Sequence, residues 1–177
     1  MTSLLRKLRW EYIRNNQQSV FFTISYLSFI FVPGLLRFLA YNEVNIFLGI
    51  ARSCGQMINI SCVFSVIYVC RNFITCNLRS LGLAPYAPLD HYIYFHKLTG
   101  WLIGLFSLLH TFGHLLNMWV VSKATTIPYL TLLFSSNLGI GWVLGLACIT
   151  GWILFAILLI MLVFSMNFIR KRGCFEV

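Results

Sequence analysis

All four histidines of this chain fall in one stretch, at positions 91, 96, 110 and 114. His96 and His110 are fourteen residues apart; on a helix that is four turns less about 40°, with a rise of about 21 Å. They share a helix face, one near each end of a bilayer-length helix. His114, four residues beyond His110, stays on that face, whereas His91 lies about 140° from His96 and leaves it. Ionisable residues inside a membrane are functional-site candidates. Two imidazoles stacked on one face at this separation suit axial ligands for two b-type haems arranged across the bilayer. A lone histidine in a span more often hydrogen-bonds a neighbouring carbonyl. Three on one face reverse that expectation, although spacing alone leaves a proton relay or a transition-metal path open. For His91 a solvated or headgroup-contacting role is the better expectation.

Arg52 adds a second constellation. It lies about 12 Å below the outer end of its span, and His114 sits at a comparable depth in its own. The two could meet at one level in the outer leaflet. A guanidinium there can stabilise an anion or carry a proton-donor network, or can simply be satisfied by loop carbonyls or a haem propionate.

The elements that must carry these residues are membrane helices. Of 177 residues, 59% are hydrophobic and 10% charged, against about a quarter charged in soluble domains. That composition excludes a disordered chain and a nucleic-acid-binding globule. It supplies about four spans of roughly 20 residues. The fold expected is an all-α membrane protein of four transmembrane helices.

The spans read as residues 19–41, 44–70, 91–121 and 139–168, within a membrane domain over 19–168. Basic cytosolic segments, 1–18 and 169–177, flank it. Pro33-Gly34 interrupts the first span, which a membrane helix tolerates. The first span is too long for a secretory signal and has no small-residue cleavage site. The second carries Arg52, Gln56 and Asn59, so one side of it should face protein or cofactor. Residues 71–90 read as a polar connector that Pro85 and Pro88 keep from continuing as helix. Residues 122–138 read as a looser segment with Pro128. The six cysteines contain no C-x-x-C pair and read as free thiols.

Ten Lys and Arg lie in the N-terminal segment, the 71–97 region and the C-terminal end, against Lys123 alone on the other side. The positive-inside rule therefore places both termini and the middle connector in the cytoplasm.

A family resemblance rests on these residues. The stretch Pro88-Leu-Asp-His-Tyr-Ile-Tyr-Phe-His-Lys-Leu through Ser107-Leu-Leu-His-Thr-Phe-Gly-His-Leu-Leu-Asn117 resembles the third transmembrane helix of the NADPH oxidase family, with its pattern L-D-x4-F-H-K followed by H-T-x-x-H-L-x-N. Residues 51–62 resemble the second helix. Residues 139–143 resemble the approach to the fourth and 169–177 its basic exit, these two being most similar to the calcium-regulated branch.

The resemblance implies a ferric reductase-like haem-binding bundle that passes electrons from cytosolic NADPH through FAD and two b-type haems to dioxygen, giving superoxide. His96 would be an axial ligand of the inner haem and His110 of the outer haem. Arg52 and His114 would line the site where oxygen meets the outer haem, and the connector would face the flavin domain.

The departures matter equally. The family's core has six spans, and its fifth supplies the second histidine of each haem. This sequence has neither that helix nor a G-x-G-x-x-G loop, and with Asp90 its sole aspartate it cannot form a calcium-binding loop. One helix can supply only one of a haem's two axial ligands. Unless Met57 or Met161 substitutes, the chain alone is expected to bind haem weakly or not at all. It reads as the front part of an oxidase, whose partners would be a dehydrogenase domain or a full-length oxidase subunit. A ferric reductase-like metalloreductase is the chemical rival, but residues 122–138 hold no Asp, Glu, His or Cys for a cation. A truncated, non-enzymatic membrane partner of a full-length oxidase is the alternative of another class.

The charge asymmetry makes a direct prediction. A glycosylation acceptor fused after Val177 should remain unmodified in microsomes, since only the lumenal face carries the transferase. Glycosylation of it would reverse the assigned orientation.

Overall fold

The computed structural model describes residues 10–82, 91–134 and 147–165. Within these the chain forms α1 (Trp10–Asn15), α2 (Gln17–Asn42), α3 (Ile46–Val69), α4 (Arg71–Ser80), α5 (Tyr92–Ala124), α6 (Tyr129–Phe134) and α7 (Ala147–Ser165), with no strand among the described residues. Four helices are long and apolar enough to cross a membrane: Gln17–Asn42, Ile46–Val69, Tyr92–Ala124 and Cys148–Ser165. Helices dominate for a physical reason. In hydrocarbon every backbone N–H and C=O needs a partner within the segment, and a helix supplies them all. Pro33 sits inside α2 without ending it, because it withdraws a single N–H from the ladder.

Two connectors differ from the sequence reading. The region 71–90 was expected as a polar connector broken by prolines, yet its first half is the helix α4. Gly82 ends it, in the left-handed conformation at φ 67°, its N–H donating to the Arg79 carbonyl at 3.1 Å. Glycine closes a helix this way at little steric cost. Residues 83–90, including Pro85 and Pro88, lie outside the described residues. Beyond the third span, α5 runs on to Ala124, and α6 occupies part of what reads as a loose segment. Residues 1–9 of the expected basic N-terminal segment (1–18), the whole basic C-terminal segment (169–177), and both ends of the expected fourth span, 139–146 and 166–168, also lie outside the described residues.

Helix α3 is the centre of the bundle, packed along α5 on one side and α2 on the other, while α7 touches α5 only lightly. The core fills the half of the bundle nearer the start of α2. There Tyr26, Ile30, Tyr68 and Phe95 are almost fully buried. Ring edges meet ring faces, with Phe22 and Phe95 centroids 4.9 Å apart at 69° and Tyr26 and Phe64 5.0 Å apart at 82°. Those are the edge-to-face arrangements that the ring quadrupole favours. One hydrogen bond threads the cluster. Thr99 Oγ1 donates to the Phe95 carbonyl at 2.7 Å, so the Tyr26 hydroxyl must be the donor in its 2.6 Å contact with Thr99 Oγ1. A buried hydroxyl stripped of its partner is costly, and this bond joins α2 to α5 across the bundle.

Tyr26→Phe should therefore lower stability by about 0.6 kcal/mol, and by no more than about 2, the range for interhelical bonds in membranes. Reversible unfolding in mixed detergent micelles measures it; a change larger than that range would show that Tyr26 holds more than this bond.

Candidate functional site

The site is built where the backbones of α3 and α5 come into contact, and small residues make the approach possible. A Cβ added at Gly113 would meet the Ala51 backbone nitrogen at 3.1 Å and the Phe47 carbonyl at 3.2 Å. Backbone faces backbone here. Gly113 precedes His114 and Ala51 precedes Arg52, so these two side chains leave their helices at one level. Arg52 lies close enough to His114 to act on it electrostatically, and its guanidinium carbon stands 5.4 Å from the Tyr41 ring centroid. A cation over a tyrosine face is held by the ring quadrupole.

His110 lies one turn deeper. Its Nδ1 is 2.7 Å from the carbonyl oxygen of Ala51. A carbonyl can only accept, so Nδ1 carries the proton and donates it, which leaves the Nε2 lone pair available as a ligand. Gly55 permits this contact, because a Cβ at that position would sit 3.2 Å from His110 Cε1 and 3.3 Å from Nδ1. The rings of His110 and His114 then meet edge to face, 4.6 Å apart at 84°.

His96 stands apart from this group. It is exposed on α5 near the opposite end. One turn along, Gly100 leaves open space, with nothing within 4 Å of where its Cβ would be. His91 is exposed at the start of α5. Among the described residues no three His, Cys, Asp or Glu side chains gather into a metal-binding group.

The structure thus gathers Arg52, His110 and His114 and leaves His96 on the same helix about 21 Å away. Sequence reasoning missed Gly55, Ala51 and Asn45. The one available signal was a glycine inside an apolar helix, four residues after the alanine whose carbonyl it uncovers. Asn45 caps α3, its side-chain oxygen accepting the Phe47 N–H at 3.0 Å.

Gly113→Ala forces a methyl group against backbone that cannot yield, and overpacking of this kind costs about 1–3 kcal/mol. Gly55→Ala instead meets only the imidazole, so it should cost less and shift the His110 ring resonances in a histidine-labelled sample. Unfolding midpoints and NMR spectra of the two variants check this contrast, and equal effects of both would contradict it.

Comparison with known proteins agrees in extent. The ferric reductase like transmembrane component family matches residues 54–177. The chain is 34% identical to NADPH oxidase 5 of Homo sapiens, over 97% of this chain and 23% of that protein. It is 27% identical to dual oxidase of Drosophila melanogaster, over 93% of this chain and 12% of that protein. Against NADPH oxidase 1 of Mus musculus the identity is 30%, over 60% of this chain and 20% of that protein. The chain spans less than a quarter of the length of these relatives. With a family match over most of its length and four membrane-crossing helices, the chain belongs to the ferric reductase-like transmembrane family of integral membrane oxidoreductase components, alongside the NADPH oxidases and dual oxidases.

Proposed function

We propose that this chain is the haem-carrying membrane segment of a superoxide-generating NADPH oxidase, which passes electrons from cytosolic NADPH and FAD across the bilayer to dioxygen. The observation that carries the reading is the approach of His110 Nδ1 to the Ala51 carbonyl. The Nδ1–H is committed to that carbonyl at 2.7 Å, the outer-shell arrangement that orients a metal-ligating imidazole and raises its basicity. His96, on the same face four turns away, is the second ligand of the proposal, with Gly100 leaving clear surface beside it. The residues present therefore fit two b-type haems, one of which His96 would hold and the other His110, each through one imidazole of α5. When bound, the haems supply one-electron steps between the membrane faces.

The remaining roles belong to the chain's own side chains. His110 holds its ring fixed through Ala51, so a ligand on Nε2 keeps one orientation. Arg52 carries a positive charge at the level of His114, in a low-dielectric setting where charge acts strongly. Such preorganised charge favours negative charge developing on a reacting oxygen. Tyr41, beneath the guanidinium, keeps that charge from swinging into the bilayer surface. The connector around α4 and both termini lie on the cytoplasmic side in this reading, where a dehydrogenase domain would dock. The flavin- and nicotinamide-binding parts of the activity belong to the remainder of such an enzyme.

In a full-length oxidase carrying this segment, His96→Ala and His110→Ala should abolish haem incorporation. Arg52→Ala and His114→Ala should keep haem but lose at least about tenfold in superoxide rate, the scale of removing one stabilising donor being about 100-fold or more. Haem difference spectra and superoxide rates measured side by side test this. Haem loss in the Arg52 and His114 variants, or unchanged superoxide in both, would overturn the assignment.

A further inference from the structure

The turn joining α2 to α3 grips three elements at once. The Tyr41 carbonyl accepts the N–H groups of Val44 at 3.2 Å and Asn45 at 3.4 Å, which closes the turn. Asn45 then uses both ends of its amide. Its oxygen caps α3 through Phe47 N–H, and its Nδ2 donates to Asn117 Oδ1 at 3.0 Å, on α5 and 72 residues away. The Tyr41 ring meanwhile lies against the Arg52 guanidinium. Asn117 is one turn beyond His114, and Asn45 is two turns before Arg52.

The α3–α5 contact explains why such a grip is needed. Where Gly113 meets Ala51, backbone meets backbone with no interlocking side chain, so the directional ties there are the bond from His110 to the Ala51 carbonyl and, two turns nearer the helix ends, the Asn45–Asn117 bond. In a bilayer, where apolar burial between helices provides little drive, such a contact resists axial sliding poorly, and directional polar bonds fix the register. A slip of one residue would move Arg52 about 1.5 Å relative to His114. We propose that Asn45, Asn117 and Tyr41 are positioning residues for the Arg52–His114 pair. The Asn45–Asn117 bond sets the axial register of α3 against α5 at their outer ends, and the Tyr41 ring aims the guanidinium. This rests on the assignment of Arg52 and His114 to the dioxygen site.

The test has two readouts. In the present chain, reconstituted in nanodiscs with its native cysteines replaced by serine or alanine, spin labels at Val44 and Lys123 report the outer-end separation of α3 and α5. One narrow distance is expected for the parent and for Asn117→Asp, which keeps the acceptor; Asn117→Leu should broaden or shift it. In a full-length oxidase carrying this segment, Asn117→Leu and Tyr41→Leu should each lower kcat for superoxide, or raise KM for dioxygen, about tenfold, since small misplacements from remote changes reach 100-fold. Haem content and spectrum should be unchanged. Asn117→Asp and Tyr41→Phe, keeping the acceptor and the ring, should stay within about twofold of the parent.

A merely structural role would instead lower haem content together with rate. A parent-like distance distribution in Asn117→Leu overturns the register device whatever the kinetics. Parent-like rates in both leucine variants overturn the positioning role alone, provided Arg52→Ala has lost superoxide. If Arg52→Ala retains superoxide, the dioxygen-site reading fails and the functional half of this proposal falls with it, while the spin-label distances still decide the register.

Discussion

Everything at the end of this bundle where α2 turns into α3 depends on two helix backbones touching. At Gly113 and Ala51 there is no room for a side chain between α3 and α5, and that closeness puts the Ala51 carbonyl within hydrogen-bonding distance of His110. In lipid, helices gain little from burying apolar area against each other, so close contact and interhelical hydrogen bonds do the joining. The same contact that joins the helices also selects a histidine tautomer. Stability and site chemistry share one cause.

The two halves of the bundle solve the packing problem differently. Near the start of α2 the space between α2 and α5 is filled by large rings, Phe22, Tyr26, Phe64, Tyr68 and Phe95, with one hydroxyl chain running from Tyr26 through Thr99 to the Phe95 carbonyl. At the other end glycine and alanine replace rings, and amide and guanidinium groups replace hydroxyls. Rings make a broad, stiff packing surface with few polar atoms to satisfy. Small residues instead admit polar side chains between the helices, where Arg52, Asn45, His110, His114 and Asn117 converge. A charged group is expensive in this medium unless it is partnered, so the cluster forms where polar partners are dense.

Helix α5 links these halves. Its exposed apolar residues Trp101, Leu105, Leu108 and Phe112 lie on the face opposite His110 and His114, so one helix presents apolar side chains outward and imidazoles toward its neighbours. His96 shares the histidine face but is exposed among the described residues.

The sequence by itself determined the four membrane helices, through runs of apolar residues that only a helix can carry across hydrocarbon. It determined the shared face of His96, His110 and His114 too, because positions along one helix follow from covalent geometry. Counting depth from the span ends also brought Arg52 and His114 to a common level. It did not disclose α4, because the prolines at 85 and 88 are the strong helix-breaking signals of that region whereas the residue that ends the helix is Gly82. Nor could it give the Ala51–His110 bond, the Asn45–Asn117 bond or the Tyr26–Thr99 bond, which join residues 59, 72 and 73 positions apart. Those were decided by the tertiary structure alone, since which faces meet, and at what register, is set by the packing of whole helices and not by spacing within any one of them.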